Sequence, residues 1–194
     1  SLNSPHGDYD HMGEAINLVE NFKVEKVIFN CGEFNDLEKE LIKVLVKKKI
    51  KYYSCINELD IDKNKLHFLQ TKEYDNENDN SNVIYTELNG YKFMFMGDAS
   101  VTTEKEILDK YNLPNIDVLK VGHHGSKTSS SKEFINEINP KYSIISVGKN
   151  NRYGHPNKEV LDTLNDSKIY RTDQDGSIMF KIKNDKLEIE TCSP

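Results

Sequence analysis

Three short apolar runs in the second half of the chain end on residues that bind metals or move protons. Tyr91 to Met96 leads into Gly97-Asp98, and Asp117 to Val121 leads into Gly122-His123-His124-Gly125-Ser126. Tyr142 to Val147 leads into a loop holding Arg152, Tyr153, Gly154 and His155. Each run has the length and apolar content of a strand buried in a sheet. Side chains gathered beyond the ends of strands can converge without disturbing the core, so the pattern predicts a layered α/β fold with its chemistry on loops at one edge.

The rest of the chain fits that class. Residues 12 to 22 read as a helix and Val24 to Asn30 as a strand. Leu37 to Lys48 carries Leu37, Leu41, Val44 and Leu45 at helical spacing, and Tyr52 to Cys55 is a candidate short strand. The polar run Asp75 to Ser81 predicts a loop. Val83 to Leu88 and Tyr91 to Met96 flank Asn89-Gly90, two residues that tolerate positive φ, which predicts a type I′ hairpin. Thr102 or Thr103 is placed to cap a helix running to about Asn112. Strands and helices alternate with no internal repeat and no linker, so residues 1–194 are expected to form one domain.

Composition narrows the function classes. With 36% hydrophobic and 30% charged residues in 194, the chain is an ordinary globular one, and no run of about 18 apolar residues is present to span a membrane. A net charge of -6 argues against broad, sequence-independent binding to nucleic acid. Within residues 118 to 157 the balance reverses: Lys120, Lys127, Lys132, Lys141, Lys149 and Arg152 face only Glu133 and Glu137. The cysteines Cys31, Cys55 and Cys192 are odd in number and scattered, which predicts buried small apolar residues and no disulfide framework.

The strongest chemical signal lies near the start. His6-Gly7-Asp8-Tyr9-Asp10-His11 puts two imidazoles and two carboxylates within six residues, with a glycine to aim them. Imidazole nitrogen and carboxylate oxygen suit zinc, manganese or ferrous iron and need no thiolate.

In order along the chain, these segments resemble the metallo-β-lactamase superfamily and, within it, the hydrolase domain of the ComEC competence (DNA-uptake) proteins. The resemblance rests on the first motif with aspartate at Asp8, on Asn78-Asp79-Asn80-Ser81, and on Phe95-Met96-Gly97-Asp98. It continues through Leu119 to Ser129, with His123-His124-Gly125-Ser126-Lys127-Thr128-Ser129 its most specific part, and Tyr153-Gly154-His155-Pro156. It implies a four-layer αββα sandwich. Because the superfamily's first strands precede its first motif and only Ser1 to Pro5 do so here, the expectation is a domain lacking those strands.

Carried over by position, the resemblance makes His6 and Asp8 ligands of one metal, makes Asp10, His11 and His155 ligands of a second, and sets Asp98 between them. It implies two divalent ions, zinc or manganese, with the oxygen-rich first site favouring manganese. Asp10 also orients the attacking water, and His124 faces the substrate, binding phosphate or donating a proton. His123, Ser126, Lys127, Asn78 and Ser81 join His124 as substrate-binding candidates. The implied activity is a phosphodiesterase, most concretely a nuclease acting on single-stranded DNA at the outer face of the bacterial cytoplasmic membrane. The alternatives are hydrolysis of a small ester, lactone or phosphocholine ester on the same two-metal site, and an incomplete, inactive fragment. An unpaired first sheet edge would favour a homodimer.

Overall fold

The computed structural model describes residues 2–3, 7, 9–69 and 72–193, with the side chains of 2, 3, 9 and 10 outside that description. His6 and Asp8 of the first motif therefore lie outside the described residues, as does the Asp10 side chain.

The small sheet comes first. Strand β1 (Leu2–Asn3) pairs in parallel with β2 (Lys26–Phe29), which pairs in parallel with β3 (Lys51–Ser54). Between them run α1 (Tyr9–Met12), α2 (Ala15–Asn21) and α3 (Asp36–Lys48). The single helix expected over 12 to 22 is thus two, broken around Gly13, a residue that favours the helix poorly. Strand β2 shows why the layers form. Val27 and Phe29 point to one face and pack with Met12, Val19, Leu41 and Leu45 of the helices, while Ile28 points to the other and packs with Phe68 and Ile84 of a second sheet. A strand that is apolar on both faces must be covered twice.

The second sheet has seven strands: β4 (Glu58–Ile61), β5 (Asn64–Phe68), β6 (Ile84–Leu88), β7 (Tyr91–Phe95), β8 (Val118–Lys120), β9 (Tyr142–Ile145) and β10 (Lys168–Arg171). They lie in sequence order, antiparallel from β4 to β7 and parallel from β7 to β10. Asn89 and Gly90 both take positive φ, 48° and 83°, at the β6–β7 turn. On the face away from the small sheet, Met94, Leu119, Val121 and Ile145 meet Ile107 of α4 (Val101–Lys110), Phe134, Ile135 and Ile138 of α5 (Lys132–Ile138), and Val160 of α6 (Lys158–Thr163). The order is helix, sheet, sheet, helix, the layering that the resemblance implies. After a short α7 (Thr172–Asp175), the chain ends in a hairpin, β11 (Ser177–Lys183) and β12 (Lys186–Cys192). Its Phe180 ring packs edge-on against Phe93 and also meets Tyr142.

Several local expectations need correction. Cys31 and Cys55 form a disulfide, and Cys192 is exposed rather than buried. The two half-cystines follow β2 and β3, whose parallel register sets Phe29 beside Ser54, so strand pairing brings together residues 24 apart in sequence. The loop expected over 75 to 81 contains a 3₁₀ turn, Glu77–Asn80, with Asp79, Asn80 and Ser81 buried. The cap of α4 is Ser100, whose side chain accepts from the Thr102 N–H, not Thr102 or Thr103. Thr103 instead donates to the Asp79 carboxylate, which also accepts from the Ser100 N–H. No helix among the described residues is long and apolar enough to cross a membrane.

Candidate metal centre

The three parallel strands β7, β8 and β9 deliver their following loops to one edge, and backbone hydrogen bonds lace the loops together. The His123 N–H donates to the Gly97 carbonyl at 2.9 Å, and the Asn157 N–H donates to the Gly125 carbonyl at 2.8 Å. Between them, Gly122–Gly125 makes a tight turn in which His123 and His124 both adopt left-handed backbone, φ 46° and 55°. Left-handed conformation in two consecutive non-glycine residues costs on the order of 1–3 kcal/mol each and persists only where the surroundings enforce it. Here the turn is pinned by those backbone bonds at both ends and closely packed behind, since a Cβ on Gly125 would lie 2.6 Å from the Pro156 side chain.

That strained turn aims imidazoles at a buried carboxylate. Asp98 is 4% exposed. Its carboxylate lies 3.4 Å from His11 Nε2, 3.7 Å from His123 Nε2 and 3.9 Å from His124 Nε2. The His124 tautomer follows from its other nitrogen. Nδ1 lies 2.7 Å from the Ser146 carbonyl, which can only accept, so Nδ1 carries a proton and in the neutral ring the Nε2 lone pair faces Asp98 and His11. This is the arrangement by which a backbone carbonyl orients a metal-binding histidine. Donor atoms of His11, Asp98 and His124 lie within 4.8 Å of one another, close enough to share one cation, and two imidazoles with a carboxylate suit zinc or manganese. The residues present fit a divalent metal.

His155 stands next to the cluster, its ring 6.0 Å from that of His123. Asn151 brackets it, accepting from its N–H and donating to its carbonyl. Burial, then the like charges available to His123 and His124, push the His155 imidazole below the ordinary histidine value, with Asp98 pulling the other way. A neutral imidazole at neutral pH is one able to bind a metal. Outside it, the exposed Tyr153 ring stacks on His155 at 5.7 Å and carries the Arg152 guanidinium 4.9 Å from its centroid.

The Asn78–Ser81 segment acts from behind. Ser81 is fully buried and its hydroxyl accepts from the Asp98 N–H at 2.9 Å, which fixes the carboxylate-bearing loop. Asn78 is half-buried and its carbonyl closes the 3₁₀ turn onto Ser81. Ser126 is buried against Thr128, whose hydroxyl also meets His123 Nδ1, while Lys127 is exposed. Glu104 of α4 holds the next residues by accepting from the Ser130 and Ser131 N–H groups; burial pushes its carboxyl up and those N–H groups pull it down.

Sequence reasoning missed three supporting groups. Glu77 accepts from the Gly7 N–H and from Asn30, and Asn35 donates to the Gly7 carbonyl at 2.7 Å. Asn35 is also the N-cap of α3, in a reciprocal capping box with Glu38, so the helix cap doubles as an anchor for the first motif. The capping pattern was readable; its second use was not. The third is the Ser146 carbonyl, a backbone group with no sequence signal.

The family model of the metallo-beta-lactamase superfamily matches residues 6–149. ComE operon protein 3 of Bacillus subtilis (strain 168) is 37% identical over 188 residues, 92% of this chain and 24% of that protein. Competence protein ComA of Neisseria gonorrhoeae is 37% identical over 119 residues, 58% of this chain and 17% of that protein. Recombination protein 2 of Haemophilus influenzae is 34% identical over 116 residues, 59% of this chain and 14% of that protein. The chain spans a quarter or less of the length of these curated relatives.

Proposed function

Because the chain belongs to the metallo-beta-lactamase superfamily, we propose that His11, Asp98 and His124 form the core of a divalent-metal centre that hydrolyses phosphodiesters, with single-stranded DNA as the substrate. The observation that carries this reading is the buried Asp98 carboxylate with the His11 and His124 Nε2 atoms turned toward it. His155, with His6, Asp8 and Asp10 of the first motif, completes a site for two ions, zinc or manganese. When bound, such ions supply a water that is acidic at neutral pH and neutralise charge developing on the attacked phosphoryl oxygen. The chain's own residues do the rest. Ser81 and the Gly97 to His123 backbone bond hold Asp98 in place. Ser146 sets the proton on His124 Nδ1, which favours a ligand role for this residue over phosphate binding.

DNA is favoured over a small ester for two reasons. Similarity to ComE operon protein 3, to a protein named for competence and to one named for recombination is consistent with a ComEC-type domain, whose resemblance implies DNA uptake at the membrane. Beside the cluster, the exposed Tyr153 with its overlying Arg152 offers an aromatic platform and a cation, the pair that single-stranded nucleic acid binds.

The test combines metal analysis with hydrolysis of single-stranded DNA, bis-p-nitrophenyl phosphate and a lactone. The expected result is metal-dependent cleavage of the first two, near-abolished by Asp98→Asn, and loss of bound metal in His124→Ala. Cleavage of the lactone alone overturns the phosphodiesterase reading. Full metal content in His124→Ala with lowered turnover returns that histidine to the substrate-facing role.

A further inference from the structure

Lys120 is unlike the other basic residues of its stretch. Lys127, Lys132, Lys141, Lys149 and Arg152 are exposed, whereas Lys120, the last residue of β8, is half-buried. Alternation along β8 sends Leu119 into the helix-covered core and Lys120 to the opposite face. There it helps line a cavity of about 500 Å³, a volume usual for small-molecule sites. His11 and His124 line the same cavity, so it opens directly onto the candidate metal centre. Lys120 is in register with Phe95 of β7, which in turn is in register with Ile84 of β6, so the three side chains stand side by side on one face. Phe95, the last residue of the central strand β7, is 42% exposed, unusual for a phenylalanine.

We propose that Lys120 is a substrate-binding residue that holds a phosphate oxygen of a nucleotide, with the exposed Phe95 ring beside it taking the base. The inference rests on the phosphodiesterase reading and names how that site receives its substrate. Among the described residues the ammonium donates to one oxygen, the Val121 carbonyl at 3.2 Å, of the three bonds an ammonium makes. A cation in a largely apolar cavity gains most from an anion, because the low dielectric strengthens the pairing. An adjacent exposed aromatic face is the partner a base stacks upon. A phosphate held between Lys120 and the His11 and His124 side of the cavity lies where the metal centre can reach its phosphorus. Burial alone weakens the hold of this amine on its proton, with Asp98 opposing, and a bound phosphate strengthens that hold.

The experiment is calorimetric titration of the protein, as purified and with its metal content measured, with thymidine 5′-monophosphate and with thymidine. It is run on the wild type, Lys120→Gln, Lys120→Arg and Phe95→Ala, alongside KM and kcat on a thymidine dinucleotide. Losing one charge-assisted hydrogen bond predicts that Lys120→Gln binds the monophosphate roughly 10- to 100-fold more weakly, with thymidine binding and metal content unchanged. KM should rise by a similar factor while kcat changes less, and Lys120→Arg should restore most of both. Phe95→Ala should weaken thymidine and the monophosphate alike. Equal monophosphate affinity in wild type and Lys120→Gln overturns the proposal even if the dinucleotide is cleaved. Lys120-dependent monophosphate binding without dinucleotide cleavage sinks the phosphodiesterase reading and leaves the anion site standing.

Discussion

Gly7 shows how much of the candidate site depends on groups that carry no chemistry of their own. A Cβ at this position would fall 2.2 Å from Asn35 Nδ2 and 2.9 Å from Glu38 Oε2. Neither neighbour can swing away freely, since each is half of the α3 capping box. Gly7→Ala should therefore cost about 1–3 kcal/mol, the usual range for overpacking, and should weaken metal binding by displacing the motif around it. Thermal denaturation and metal titration read the two effects; a variant equal to wild type in both would show that the loop tolerates displacement. His155 supplies a second expectation. Its proton affinity is lowered in the fold, so at pH values where the unfolded chain holds the proton the folded chain does not. Its contribution to stability is present above the unfolded value of about 6.5 and is lost as pH falls through the lower folded value. In chelator, denaturant midpoints should drop between roughly pH 7 and pH 5, and His155→Gln should flatten that slope. An unchanged slope would remove His155 from the account. Asp98, His123, His124 and His155 were all legible because each follows an apolar run. Nothing in the sequence could reveal that Ser146 lends a carbonyl to His124, because that bond joins the ends of two strands.

Among the elements, those read correctly have strong periodicity or strong turn chemistry. Helix α3 has its apolar stripe and its capping box, and the β6–β7 hairpin has Asn89-Gly90. The β4–β5 hairpin escaped notice because it sits on the sheet edge, carries Asp60, Lys63 and Lys65, and turns on Asp62-Lys63 without a glycine. The Cys31–Cys55 bridge escaped for a topological reason: it needs the parallel pairing of β2 with β3, which no local pattern encodes. That bridge ties the exposed edge strand β3 to β2, whose Val27, Ile28 and Phe29 are buried. For a closed loop of this size, loop-closure entropy predicts a loss of roughly 3 kcal/mol on removal. Reduction, or Cys31→Ser with Cys55→Ser, should lower the unfolding midpoint accordingly. It should also raise amide exchange in β3 more than in β7 to β9, as measured by mass spectrometry. Uniform exchange across both sheets would mean that the bridge acts only by constraining the unfolded chain.

At the scale of the whole molecule, the candidate ligands come from different layers. His11 lies on α1, in the helical layer over the small sheet, while Asp98 and His124 sit at the edge of the large sheet. Among the described residues the two sheets share the modest cluster of Ile28, Phe68 and Ile84 with its partly buried neighbours, and Glu77 adds a polar tie from the large-sheet side to Gly7 and Asn30. A cation bound by His11, Asp98 and His124 therefore acts as a cross-link between layers, and binding to the folded state alone must stabilise the fold. Free metal at a thousand times its dissociation constant adds about 4 kcal/mol by mass action. The unfolding midpoint should accordingly climb with zinc or manganese concentration and fall on chelation. Asp98→Asn should abolish that dependence while keeping the chelated midpoint near that of chelated wild type, because an amide relieves the burial of a charge. A midpoint that ignores metal in the wild type would mean that the folded chain binds no such ion in preference to the unfolded one, and the His11 to Asp98 approach would then be packing alone.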